Sequence, residues 1–440
     1  MTTQLETTGH DWRIGLAAAD ITPQEPIWLG GYGARSKPSE GVLDPLCAKA
    51  MAMESDGERA VVITTDLISF DAAFADVVLE DIRQRTGLAP RQVILNSSHT
   101  HAGPVFGIRY ARYYGLDPDQ PGPTARYNAL LRARLPALVE AALADLKPAR
   151  LSWATGAAPF AMNRRRYTPK GVVNAPYPRG YVDRSVPVLR VDGPDGRLRG
   201  VLFGYACHNT TVGSDNYRIS SEYAGFAQRY VERVHPGAQA MFLMGCGADA
   251  NPYPRGTYEL ARQHGETLGA EVCRVLQQEM PQPVRAPLRI AFDHVDMPLE
   301  PQPTPQQLDA LRAQGGYYRQ MADKIQALID TGKPWATHYR TPIAVWQFGS
   351  DLTLVRLSGE VVSDYILLLE RALGPLNLWI AAYCADYFGY LPSARVHREG
   401  GYEARDFITG FGFLDAPVEK AVVDKVRQLA KQAGREAPSG

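Results

Sequence analysis

Apolar residues come along this chain mainly in short, near-continuous runs closed by Gly or Pro, and the chain switches several times between strand-like and helix-like spacing. Residues 13–21 form one apolar-rich run, ending at Thr22-Pro23. After the glycine-rich loop Gly30-Gly31-Tyr32-Gly33 a second occupies 46–53, and both predict strands. Residues 59–68 contain Ala60-Val61-Val62-Ile63, the pattern of a strand buried on both faces. Phe74, Val77, Val78 and Ile82 then recur at helical spacing across 70–85, before Gly87 and the short strand Val93-Ile94-Leu95. Strand, helix and strand make a β-α-β unit, which favours an α/β sheet with ligands at the carboxyl ends of its strands.

The same reading predicts a long Ala/Leu helix over 125–146 and two strands, 186–191 and 200–206, joined by Gly193-Pro194-Asp195-Gly196. A helix to about Val234, a strand over 239–244 and a helix over 257–280 follow. The C-terminal part predicts a strand at 287–295, helices within 304–329 and a hairpin of 343–348 with 351–357. A helix opening at Ser358-Gly359-Glu360, a strand at 379–384 and a terminal helix over 418–432 complete the chain. With no internal repeat and no long linker, the expected architecture is a layered α/β sandwich with mixed sheets and a metal site at strand ends. It is expected as a single domain over 12–435, between flexible termini 1–11 and 436–440.

Composition narrows the function more than the fold. The 440 residues are 45% apolar and 21% charged, and Lys+Arg equals Asp+Glu at 47 each, so no overall field draws the protein to nucleic acid or an anionic membrane. The polar N-terminus lacks the pattern of a signal peptide and no apolar stretch is long enough to span a bilayer, so a cytoplasmic protein without membrane insertion is expected. Five scattered cysteines without a C-x-x-C leave any metal to His and oxygen ligands.

Candidate chemistry gathers where strands end. Asn96-Ser97-Ser98-His99-Thr100-His101 follows the 93–95 strand. In extended chain His99 and His101 point the same way, so one can bind a metal while the other works on a substrate. Asn163-Arg164-Arg165-Arg166-Tyr167 is either a solvated basic turn or a set of guanidinium donors to a substrate. His208 arrives after the 200–206 strand, and Asp249 and Asn251 lie on a glycine-rich turn that is neither a P-loop nor a dinucleotide fingerprint. Glu360 stands at a strand-to-helix junction, where a helix-capping carboxylate is the competing role. Asp386-Tyr387 follows the 379–384 strand.

His-Thr-His-Ala-Gly-Pro at 99–104, Asn163-Arg164, Ala-Cys-His at 206–208, Ser-Gly-Glu at 358–360, Gly-Tyr-Leu-Pro at 389–392 and Tyr-Glu-Ala at 402–404 occur in a telling order. In order and approximate interval this set resembles the neutral, non-lysosomal ceramidase family, from about residue 12 to residue 410. The resemblance implies one catalytic zinc ion per chain, with another divalent metal as the alternative, held by His99, His208, Glu360 and Tyr390. It places His101, Arg164 and Tyr402 around the scissile carbonyl, with His101 and Tyr402 donating to the developing oxyanion. Asn163, Arg165, Asn251 and Tyr387 are expected to bind the substrate.

Two departures shape the functional expectation. Family members carry a serine in the glycine-rich turn, whereas the aligned stretch here, Gly247-Ala248-Asp249-Ala250-Asn251-Pro252, has none. They also carry a C-terminal immunoglobulin-like domain, whereas this chain ends at Gly440, soon after Tyr402. Asp249 is then the nearest carboxylate in sequence to act as general base on a metal-activated water. The expected activity is zinc-dependent hydrolysis of an amide, or an ester or lactone, in a soluble small molecule. The alternatives are a metal-dependent lyase, isomerase or glycosidase, and a non-catalytic metal-binding protein. A homo-oligomer is left open.

Overall fold

In the computed structural model, which describes residues 11–278, 281–405, 410 and 412–435, alternate side chains of the strand Cys47–Ser55 enter two different cores. Met51 and Met53 face one interior, while Ala48, Ala50 and Ala52 face another, the period-two consequence of a pleated strand buried on both sides. This strand belongs to a nine-stranded sheet. Its spatial order is Gln239–Met244, Leu198–Tyr205, Ser185–Asp192, Lys147–Ala157, Trp12–Asp20, Cys47–Ser55, Glu58–Thr65 and Val93–Ser97, with Gln282–Val284 paired to Lys147–Ala157. The two end pairs of this order are parallel and the pairs between them antiparallel.

A second sheet, Leu288–Pro298, His338–Phe348, Leu352–Arg356 and Leu378–Ala381, packs on the first. Trp346, Phe348, Leu354 and Trp379 from the second sheet share a core with Trp12, Met51, Met53, Val62 and Ile94 from the first. The outer face of the first sheet is covered by helices, Ala72–Thr86 and Pro123–Ala144 over one part and Glu222–Val234 and Tyr258–Leu276 over another. Asp364–Leu373 and Val418–Gln432 share the core that contains Ile343, Val345 and Val355 of the second sheet. The result is the expected layered α/β sandwich with mixed sheets. Of the termini expected to be flexible, 1–11 and 436–440, residues 1–10 and 436–440 lie outside the described residues.

The order of the large sheet matters for function. The strands that lead to His99 and His208, Val93–Ser97 and Leu198–Tyr205, are six strand-to-strand steps apart and run in opposite nominal directions. A twist of about 20–25° per step accumulates to roughly 120–150° over that distance, enough to bring the two strand ends toward one place. The buried side chain of Asn96 closes the gap: Met244 N–H donates to its Oδ1 at 3.0 Å, and its Nδ2 donates to Ala382 O at 2.6 Å. Thr100 and Asn209 then form a bridge, with His101 N–H donating to Asn209 O at 3.1 Å.

Three local expectations are corrected. Glu360 does not open a helix. It lies in the two-residue strand Glu360–Val361, paired in parallel with Tyr390–Leu391, and the helix starts later, at Asp364. The segment after Asn163 is not merely a loop, since Arg165–Thr168 and Gly171–Asn174 form a hairpin. His99 is not extended either: its φ is 63°, a left-handed conformation that costs about 1–3 kcal/mol for a side-chain-bearing residue. His99 N–H donating to Leu67 O at 2.9 Å holds it there.

Candidate active site

His99 and His208 are buried and share one design. His99 Nδ1 lies 2.8 Å from Ile68 O and His208 Nδ1 lies 2.8 Å from Gly247 O. A carbonyl only accepts, so both Nδ1 atoms carry a hydrogen, and the neutral form of each ring presents its lone pair at Nε2. The buried Glu360 Oε2 sits 3.3 Å from His99 Nε2 and 3.0 Å from His208 Nε2. The other oxygen, Oε1, accepts from Tyr387 Oη at 2.8 Å. Burial opposes ionisation of Glu360, but the imidazoles beside it hold its carboxyl well below the usual range. Burial, with the Arg164 charge adding to it, pulls His208 down to about 4. The Glu360 carboxylate thus faces two Nε2 atoms whose rings already place a hydrogen on Nδ1.

His208 Nε2 and Glu360 Oε2 indeed have no hydrogen-bond partner. The third atom, His99 Nε2, has His101 Nε2 beside it at 3.1 Å. Buried ligand atoms converging in this way fit a cation, and the hydrogen bond behind each of them is what metal sites use to fix ligand orientation. The chain's donor set therefore suits a divalent metal. Ligand atoms of His99, His101 and His208 also lie within 4.8 Å of one another. His101 differs from the other two, because its Nδ1 has no partner and no carbonyl fixes its tautomer, while its Nε2 lies 3.1 Å from His99 Nε2. That contrast favours His101 beside the metal position and Glu360 on it.

Tyr390 enters through its pairing with Glu360 and lines the same cavity. Burial pushes its phenol well above its ordinary value, while the Arg164 guanidinium works in the opposite sense. Arg164 is buried, which removes the solvated-turn reading. Its Nη2 donates to Tyr390 Oη at 2.9 Å, Nε to Glu403 at 2.8 Å and Nη1 to Asn251 Oδ1 at 3.2 Å. Tyr402 packs edge-on against the Tyr390 ring at 5.2 Å and lines the cavity. The cavity, about 630 Å³, contains His99, His101, Glu360 and Tyr387 in its wall.

Several sequence-based assignments do not survive. Asp249 was expected to be the general base, yet its oxygens accept from Ser363 N–H at 2.8 Å, Ser363 Oγ at 2.9 Å and Asn163 Nδ2 at 3.2 Å. It is a buried joint between segments, and its carboxylate is turned to those donors. Asn163 is equally committed, to Asp249, to Tyr181 O at 2.8 Å and to Arg165 N–H at 2.8 Å. Arg165 spends its donors on Glu403 at 2.7 Å, Gly400 O at 2.8 Å and Glu399 at 3.3 Å. Asn251 Oδ1 accepts from Arg164 and, at 3.3 Å, from Thr210 Oγ1. These four hold the site together, and their expected contacts with substrate or water are replaced by contacts within the protein. Tyr387 braces Glu360 and also lines the cavity.

Other residues at the site were not foreseen. The Tyr383 ring lies 4.6 Å from that of His99, at a φ of 54° and with its hydroxyl unpartnered. Tyr32 stacks edge-on against His101 at 4.9 Å. Gly31, at φ 87°, brings backbone so close that a Cβ there would fall 2.4 Å from the His101 ring. Glu403 accepts from both Arg164 and Arg165. The glycine-rich loop and the Tyr-Glu-Ala motif were visible signals for the last three, whereas Tyr383 had none.

Together these features define an α/β sandwich protein with a buried imidazole–carboxylate cluster under a tyrosine-lined cavity. Residues 12–251 match the sequence model of "Neutral/alkaline non-lysosomal ceramidase, N-terminal", and the chain belongs to that family. Among curated relatives, the neutral ceramidase of Pseudomonas aeruginosa is 29% identical over 231 residues, covering 50% of this chain and 33% of that protein. Neutral ceramidase B of Dictyostelium discoideum is 26% identical over 272 residues, covering 56% and 36%. The match thus spans about a third of the length of these relatives. The crystal structure of neutral ceramidase from Pseudomonas aeruginosa superposes with a TM-score of 0.72 at 20% identity, covering 98% of this chain and 76% of that one, and shares the fold.

Proposed function

We propose that the protein is a metal-dependent hydrolase that cleaves an amide bond of a small molecule, using zinc or a comparable divalent ion. The observation that carries this reading is the convergence of His99 Nε2, His208 Nε2 and Glu360 Oε2, buried atoms of which the last two have no hydrogen-bond partner. Those three atoms, with Tyr390 Oη as the fourth ligand, would hold the metal. Nitrogen and oxygen donors suit zinc and several neighbouring ions. A metal in such a site polarises a carbonyl and lowers the pKa of water toward about 7.

The chain's own residues supply the rest. Tyr387 keeps one Glu360 oxygen occupied so that the other faces the histidines. Arg164, anchored by Glu403 and Asn251, holds the Tyr390 oxygen and offsets part of the burial that raises its pKa. Burial keeps His101 well below its usual pKa, so it acts as a neutral imidazole with one N–H to donate, and with Tyr402 it offers donors to the carbonyl oxygen as charge develops there. The chain's similarity to neutral ceramidases, enzymes of an amide, supports amide cleavage over ester cleavage.

The test is hydrolysis of matched short N-acyl amides and esters by protein stripped with a chelator and by the same protein reloaded with zinc. Amide cleavage that vanishes on stripping and returns with zinc is expected. Equal rates in both forms, or no cleavage of any amide by the reloaded form, would overturn the proposal.

A further inference from the structure

The cavity above the histidines contains a charge that the proposed chemistry does not use. Arg35, on the chain just after the glycine-rich loop, is only 7% exposed and lines this cavity. Its Nη1 donates to Gly30 O at 2.7 Å, its Nε donates to Asn216 O at 3.2 Å, and its guanidinium lies over the Tyr32 ring at 4.9 Å. All three partners are neutral. Its Nη2 is buried and has no hydrogen-bond partner, and Arg35 pairs with no carboxylate among the described residues. The equally buried Arg164 and Arg165 share Glu403. A guanidinium stays protonated in a protein, so a buried one without an anion bears an uncompensated desolvation cost.

The rest of the wall has the same bias. Of the residues lining the cavity, Arg35 and Lys324 are cationic and only Glu360 is acidic, and Glu360 has one oxygen on Tyr387 and the other turned to the two histidines. The hydroxyls of Tyr110 and Tyr114 both accept from Gly31 N–H, at 3.1 and 2.8 Å, and lie 3.3 Å apart, so one donates to the other. Two hydroxyls carry two hydrogens, and this arrangement employs one, leaving an O–H of the pair to donate into the cavity they line. One ring links Arg35 to the reacting centre: Tyr32 lies 4.9 Å from the Arg35 guanidinium and, edge-on, 4.9 Å from the His101 ring.

We infer that Arg35, with the Tyr110–Tyr114 pair, is a subsite for a carboxylate on the substrate, which makes the substrate class an amide with a nearby carboxylate, such as an N-acyl amino acid. This rests on the proposed hydrolysis for the word substrate, but the anion subsite stands on the unpaired guanidinium alone. The carboxylate would accept from Arg35 Nη2 and a tyrosine hydroxyl, supplying the counter-charge the fold omits. Lys324 adds a second positive charge at the rim.

Binding can be measured without catalysis. N-acetylglycine, N-acetyl-β-alanine and N-acetyl-4-aminobutyrate, with the N-methylamide of each acid as its uncharged counterpart, are titrated calorimetrically into metal-stripped protein at low salt. At least one acid should bind about tenfold or more tighter than its methylamide. Arg35→Gln should erase that preference and Arg35→Lys should keep part of it. Equal binding of every acid and its methylamide to the wild type, or an undiminished preference in Arg35→Gln, would overturn the subsite. Should Arg35→Gln fail to melt cooperatively, the wild-type pairs and Tyr114→Phe, which should weaken the acid selectively, decide the question. If the acid preference holds but zinc-loaded protein cleaves no amide, the hydrolase reading fails and the subsite remains. Cleavage of amides with no acid preference would reject the subsite alone.

Discussion

The Tyr387 hydroxyl donates to Glu360 Oε1 at 2.8 Å, and the proposed metal site depends on that hydrogen bond. Without it, that oxygen would be free to compete with Oε2 for the space between the histidines, and the carboxylate would lose its fixed orientation. Removing such an outer partner typically costs 10- to 100-fold in metal affinity. Tyr387→Phe should therefore fold as the wild type does, melt within a few degrees of it, and bind zinc at least about tenfold more weakly in a chelator competition. Unchanged zinc affinity would show that the Tyr387 hydroxyl serves the substrate alone. The same scale shows what sequence could not tell. Asp249, Asn163 and Arg165 have the chemistry of catalytic residues, but Asp249 pairs with Ser363, Asn163 with Asp249 and Arg165 with Glu403, each a partner from a distant part of the chain. A carboxylate that accepts three hydrogen bonds is a brace, and only the fold reveals that it does.

At the scale of the element, the glycine-rich loop between the first two long strands sets the position of His101. Gly31 combines φ 87° with a backbone pressed against the imidazole, so that a Cβ would meet His101 Cγ and Nδ1 at 2.4 Å. Gly31→Ala must push the ring away from the cavity, and displacements of about 1 Å can cost 10²-fold in rate. The expected outcome is zinc content near that of the wild type with kcat reduced about 10²-fold; a variant with both unchanged would mean that the loop does not position His101. Elements such as 93–97 and 239–244 were legible because they are runs of apolar residues bounded by turns. The strand Lys147–Ala157 was missed although Ala149, Leu151 and Trp153 recur at period two, since Pro148 masks the run. Glu360 was misplaced for a different reason. Its strand exists only by pairing with Tyr390–Leu391, a partner that no local pattern announces.

At the scale of the whole molecule, the candidate site is a product of sheet twist. His99 and His208 follow strands six steps apart in one sheet, and Glu360 and Tyr390 follow the second sheet packed against it. The sequence motifs marked those four residues, but their convergence needs both sheets and the Asn96 clasp between them. Loss of a single ligand should therefore empty the site without unfolding the sandwich, whose cores are built from other residues. The most direct measurement is a calorimetric zinc titration of chelator-stripped wild type and His208→Ala, with circular dichroism confirming the same fold. The account predicts a single tight equivalent in the wild type and loss of most of that binding in His208→Ala, together with amide hydrolysis. A full, tight equivalent of zinc in His208→Ala, or none in the wild type, would contradict it.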